Sequence, residues 1–394
     1  MIISYTIIMI YQPSLAQLFF AFLRLGTTAF GGPSMVAYIR KLAVERKSWL
    51  SAREFSDGVA FCQMIPGATA MQTAAYVGLR LRGVAGAAVS FIGFGLPAFA
   101  LMLFFAVMYA QTGTLPAVTA AFSGLQAVVV AVVANAALSF GKTTLTNWKH
   151  GVLSLAAALM FWVNIHPLVV ILVAGGLGWL ILTIPKITPL NENPSAAVPF
   201  YKKTLALILL AIGIGFAGLY YFSEDLFSLA LLMFRVDLMA FGGGFASVPL
   251  LYHEVVEVNH WLNSQTFMNG IVLGQVTPGP IVITATFIGY LLSGILGALV
   301  ASVCIFVPSF LLVIGLSPFF NRLSISPVFQ KIIRGILCSF VGLLVSVMLR
   351  FGFQVQWDLI HGILAAGALV ALFRKVDILW VVLVGTILSI GLIR

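Results

Sequence analysis

The 394-residue sequence is 61% hydrophobic and only 8% charged, with a formal net charge of +10. A soluble domain carries roughly 25% charged residues, so this composition excludes a water-soluble globular protein. What remains is a polytopic helical membrane protein, in which each segment bonds its own backbone inside lipid. The basic residues fall in short loops between apolar runs, the cytoplasmic-loop excess of membrane proteins, and not in a nucleic-acid-binding stripe.

In chain order, residues 1–14 are an apolar lead without a basic n-region or a small-x-small cleavage site. No cleaved signal is therefore expected, and Met9 is an alternative start. A first unit covers 15–183. A polar linker and one unmatched apolar span occupy 184–225, and a second unit covers 226–394. The two units are copies of each other. Phe30-Gly31-Gly32-Pro33 answers Phe241-Gly242-Gly243-Gly244, and Trp49-Leu50 answers Trp261-Leu262. Gln63-Met64-Ile65-Pro66-Gly67 answers Gln275-Val276-Thr277-Pro278-Gly279, and His150-Gly151 answers His361-Gly362, always 211 or 212 residues apart. One extra span between two even-crossing copies turns the second copy over. The expected fold class is thus all-α integral membrane: an inverted-repeat transporter with two homologous halves, re-entrant or broken helices, and one extra transmembrane span.

Each half shows six apolar segments, and the first two are broken near their middles at Gly31-Gly32-Pro33 and Pro66-Gly67. If every segment crossed, Arg40, Lys41, Arg46, Lys47 and Arg53 would face outward, against the positive-inside tendency. Reading the broken segments as re-entrant hairpins leaves only Arg24, Arg235, Arg350 and Arg394 off the cytoplasmic side. Nine full spans and four hairpins follow, with a cytoplasmic N-terminus and a periplasmic C-terminus in a plasma membrane.

Broken helices at membrane depth persist only where they are buried in protein or line a cavity, so the four breaks are expected to meet near the midplane. Half-helices that start there offer free N–H groups and a positive dipole end to an anion. Gly31, Gly32, Pro66, Gly67, Gly242, Gly243, Pro278 and Gly279 are the candidate backbone site, with helix packing and kinking as the plainer alternative. Arg24 and Arg235 sit at equivalent positions just before the glycine breaks. A mid-membrane Arg costs roughly 2.5–3.5 kcal/mol on insertion scales. The pair reads either as a bidentate clamp on a tetrahedral dianion or as side chains that snorkel outward, with Asp237 an alternative partner for Arg235. Gln63 and Gln275 either donate to the same anion or bond across helices. Asp237, which answers Gly26, is a proton-coupling candidate; Asp57 is another, with a solvated loop role as its alternative. Cys62, Cys304 and Cys338 have no metal spacing, so neither metal nor cofactor is expected. Without a hydrolase or metalloprotease motif an enzyme is not expected, and a passive anion channel stays open beside a carrier.

Together these motifs resemble the chromate transporter family in its long, two-domain form, across nearly the whole chain. The resemblance implies a bacterial inner-membrane carrier that exports chromate on the proton motive force and confers chromate resistance. Two departures stand out: Pro66-Gly67-Ala68 where the family usually reads Pro-Gly-Pro, and Gly242-Gly243-Gly244 where a proline would complete Gly-Gly-Pro. Chromate resembles sulfate in charge and shape, so sulfate or another oxyanion is the alternative cargo. The partners expected are that anion, protons and the lipid bilayer, with no nucleic acid; a homodimer is one option for assembly.

Overall fold

The computed structural model describes residues 12–30, 34–113, 115–183 and 199–393. Ser14 and Gln17 form a capping box that starts α1 (Leu15–Gly26), which stops at the first glycine break. After the break, α2 (Ser34–Arg40) runs into a π-turn at Lys41–Arg46. A second capping box, Ser51 with Glu54, opens α3 (Ala52–Met64), which ends at the Pro66-Gly67 turn before α4 (Thr69–Thr112). The half closes with α5 (Pro116–Thr144), α6 (Trp148–Trp162) and α7 (Pro167–Ile181), and the unmatched α8 (Lys202–Phe222) follows. The second half repeats the order as α9 (Glu224–Met239), α10 (Gly244–Tyr252) with a π-turn at His253–Val258, α11 (Ser264–Val276) and α12 (Thr284–Leu316). A short α13 (Phe320–Ile325) precedes α14 (Pro327–Gln354), α15 (Leu359–Phe373) and α16 (Ile378–Leu392).

The duplication extends to single dihedral angles. Gly67 and Gly279 hold φ of 116° and 117° at the two Pro-Gly turns, a region glycine enters without steric cost. α4 and α12 both fold over at matching glycines, Gly83 (φ 62°, ψ −153°) and Gly294 (φ 61°, ψ −148°). There the two arms touch backbone to backbone. A Cβ on Gly78 would lie 2.1 Å from the Gly86 carbonyl oxygen, and one on Gly289 2.2 Å from that of Gly297. Small residues allow this approach where lipid supplies no hydrophobic drive between helices.

The glycine break of the second half reverses the chain. Arg235 and Glu254 are 19 residues apart yet their side chains meet at 2.5 Å, whereas a straight helix would separate them by about 28 Å. Glu54 and Arg80, on either side of the Pro66-Gly67 turn, likewise meet at 2.8 Å. Among the described residues, five helices are long and apolar enough to cross a membrane: α4, α5, α8, α12 and α14. The other four expected spans, α6, α7, α15 and α16, have 15 residues each. That is about 22 Å against the ~30 Å hydrocarbon core. Turns at Asn164 (φ 61°) and Lys375 (φ 62°) cut them short within runs that hydropathy alone reads as longer.

α1, α4, α12 and α9 pack in succession, with α8 outside α9 and without a buried residue of its own. α5, α6, α7, α14, α15 and α16 make the second bundle. The hairpins of the two halves open toward opposite ends of α5: Arg40 and Gln63 share a cavity with Thr143, near its end, whereas Asn263 and Asn269 share a vestibule with Ser123, near its start. The second copy is therefore upside down. The hairpins also pack differently: α2 and α3 rest mainly on α4, whereas α10 and α11 also grip α5, α14 and α16.

Candidate anion site

The two Pro-Gly turns interlock with the opposite halves. The Gly67 N–H donates to the Ala240 carbonyl, and the Gly279 N–H to the Ala29 carbonyl, each at 2.9 Å. Each turn therefore bonds to the residue two positions before the first glycine of the other half's break. One interlock is polar. Asp237, fully buried, accepts hydrogen bonds from the Ser309 N–H (2.8 Å) and the Ser309 hydroxyl (2.7 Å). The Ser309 oxygen in turn accepts from the Ala68 N–H at 3.0 Å. The second carboxylate oxygen of Asp237 has no hydrogen-bond partner among the described residues. The mates of Asp237 and Ser309 in the repeat are Gly26 and Ala98, so the other interlock is apolar.

Beside the interlock lies a cavity of about 890 Å³. α2 and α3 form one wall with Arg40 and Gln63, and the ends of α5 and α14 form the other with Thr143 and Arg334. The first turns of α4 and α10 line it, and neither has a side chain capping its N-terminal amides. Those amides carry the positive end of the helix dipole. No carboxylate is among the described lining residues. The Arg40 and Arg334 side chains make no hydrogen bond or ion pair with another described residue, whereas those of Arg80, Arg235 and Arg350 are held by Glu54, Glu254 and Glu257. Unneutralised guanidinium groups over a Gly-rich floor are the kind of donors that pair with oxyanions.

The opposite face is held together by ion pairs. Glu254 binds Arg235 at 2.5 Å, with His166 at 3.9 Å. Glu257 binds Arg350 and accepts from His253 at 2.9 Å. Arg350 also donates to the Phe161 carbonyl and to Asn164 Oδ1, both at 2.8 Å. These contacts fasten α9, the α10 π-turn, α14 and the α6–α7 loop to one another. A smaller vestibule of about 270 Å³, around Ser123 and Asn263, is lined by no Asp, Glu, Lys or Arg among the described residues, and Gln126 donates there to Asn269 at 3.1 Å.

The residues expected from the sequence are distributed as follows. Gln63, Gly242 and Gly243 line the cavity. Pro66 and Gly67 are buried at one interlock, Pro278 and Gly279 are buried at the other, and Gln275 is buried on α11. The Gln275 amide nitrogen has no hydrogen-bond partner among the described residues. Gly31 and Gly32 lie outside the described residues. Arg24 is exposed on α1 and its side chain makes no hydrogen bond or ion pair with a described residue, and Arg235 belongs to the ion-paired face; neither lines the cavity. α1 packs on α4 and α9 on α12, with α4 and α12 between them. Asp57 is half-buried on α3. Three residues escaped the sequence reading: Arg40, Arg334 and Ser309. The usable signal was in the repeat, where a polar or charged residue stands against an uncharged mate. Among the described residues no cluster of His, Cys, Asp and Glu converges as metal ligands.

The sequence profile of the family described as chromate transporter matches residues 16–179 and 227–390. An uncharacterized transporter of Methanocaldococcus jannaschii is 40% identical over 380 residues, covering 96% of this chain and 94% of that protein. The chromate transport protein of Cupriavidus metallidurans is 30% identical over 378 residues, 92% of this chain and 90% of that protein. A probable chromate transport protein of Synechococcus elongatus is 31% identical over 348 residues, 88% and 86% of the two chains. No solved structure matches the chain.

Proposed function

This chain belongs to the chromate transporter family, and from that premise we propose that it exports chromate across the bacterial inner membrane by proton-coupled alternating access. The observation that carries the reading is the cavity with two unpaired guanidinium groups and no described carboxylate, set where the helix breaks interlock. A tetrahedral dianion there meets guanidinium forks, the Gln63 amide, the Thr69 and Thr143 hydroxyls and the open helix starts. The cavity opens on the side that carries Lys142, Lys149, Lys331 and the Lys41–Arg53 loop, which the positive-inside tendency makes cytoplasmic.

A carrier is favoured over a channel because the cavity and the far vestibule share no lining residue. In this reading the present conformation faces the cytoplasm, and opening of the far face requires release of the Glu254 and Glu257 contacts. Asp237, with one unpartnered oxygen beside the hinge-like turns, is the proton carrier best placed to link protonation to that movement; Asp57 on the cavity-side hairpin is the second candidate. Sulfate, of like charge and shape, is the competing cargo.

The test is radiolabelled chromate flux into inverted membrane vesicles, with and without an imposed pH gradient, with sulfate as competitor. Saturable flux that follows the gradient supports the carrier. Flux linear in concentration and indifferent to pH points to a channel, and failure to move any oxyanion removes the reading altogether.

A further inference from the structure

The two mouths of the protein differ in charge. The π-turns at Lys41–Arg46 and His253–Val258 begin one residue after Arg40 and Tyr252, which makes those two residues mates in the repeat. The Gly124/Gly335 correspondence likewise makes Ser123 the mate of Arg334. Where the cavity presents two unpaired guanidinium groups, the other side holds a buried phenol bonded to Ser264 at 3.0 Å and a hydroxyl bonded to His361 at 3.1 Å. Gln63, exposed in the cavity, has the buried Gln275 as its mate. In an inverted repeat, the opposite-facing state is reached when the halves exchange conformations. The far-facing cavity is then lined by these mates and carries neither guanidinium.

From this we infer that Arg40 and Arg334 form a dianion-capture station present only in the conformation seen here, so that the carrier binds its anion more tightly from this face than from the other. The inference rests on the reading of the cavity as the transport route. The preference rests on the attraction between charges, so it weakens with ionic strength. An anion that binds one state better also shifts the population toward that state. The expected behaviour is capture at low concentration on the Arg-lined side and easy release on the far side, while the coupled ion sets the net direction.

The experiment compares chromate KM in inverted and right-side-out vesicles for the wild type, Arg40→Gln, Arg334→Gln and Arg334→Lys. The wild type should show a KM at least about tenfold lower from the Arg-lined face, and each Gln variant should raise that KM about tenfold. Arg334→Lys should recover part of the loss, and the far-face KM should stay within about twofold throughout. Equal wild-type KM at both faces overturns the inference, as do variants that raise both KM values alike. If a Gln variant fails to fold, the wild-type ratio decides alone. Absence of saturable flux at either face would strike the transport reading instead, so the two failures are distinguishable.

Discussion

Replacing Gly67 by Ala tests whether the polar interlock is rigid. The added methyl would lie 2.0 Å from the Ser309 hydroxyl oxygen and 2.7 Å from the Gln72 amide nitrogen, at a φ of +116°. Ser309 has little room to yield, because its oxygen donates to Asp237 and accepts from Ala68. Strained backbone of this kind costs about 1–3 kcal/mol, and displacing a buried hydrogen bond to a charged group costs about 1.5–3 kcal/mol more. Gly279→Ala is the internal control. Its φ is +117°, but the methyl meets only apolar atoms of Ala98, Cβ at 2.7 Å and Cα at 4.0 Å. Gly67→Ala should therefore be the less stable variant by about 1.5–3 kcal/mol, measured by denaturant unfolding in detergent with tryptophan fluorescence. Adding Ser309→Ala to Gly67→Ala should destabilise by less than the sum of the single changes, since the clashing oxygen is gone. Equal losses at Gly67 and Gly279, or strict additivity with Ser309→Ala, would refute the idea that this turn is locked by its polar contacts.

Glu257→Gln should loosen the closed face, raising the rate at which an impermeant thiol reagent modifies a cysteine at the buried Gln275; an unchanged rate would show that the ion pairs do not hold that face shut. A cysteine at Gln63 should react readily without any second change, and chromate should protect it if the cavity is the binding site. Arg235→Ala should mimic Glu257→Gln in cysteine reactivity while leaving chromate KM within about twofold; a large KM rise with unaltered reactivity would instead assign Arg235 to the anion. Asp358, at the start of α15, has its carboxyl held below the usual range by the His361 backbone N–H and then by the His361 ring. A lowered pKa means that its stabilising contribution is present above the ordinary carboxylate range and is lost as pH falls through the lowered value. Asp358→Asn keeps a capping side chain but cannot titrate, so its melting temperature should depend less on pH in the acid range than that of the wild type.

Much of the fold was legible because it is written in one dimension. A register of 211 or 212 residues between copies, Gly/Pro breaks at matching positions, and basic loops inconsistent with uninterrupted crossings all survive without coordinates. The length of the short helices was less legible, because a hydropathy run does not reveal where Asn164 or Lys375 turns the chain. Ser309 was missed because a lone serine in an apolar helix carries no signal until Asp237 is found against it.

By itself the sequence determined that the chain is duplicated and broken at four glycine or proline sites, and that an odd span lies between the copies; composition and register are properties of order along the chain. Only the tertiary structure decided which cations remain available. Arg80, Arg235 and Arg350 find their carboxylates 26, 19 and 93 residues away, and Arg40 and Arg334 find none among the described residues. Charge neutralisation depends on distance in space, falling off over a few ångströms, and a list of residues does not contain that distance.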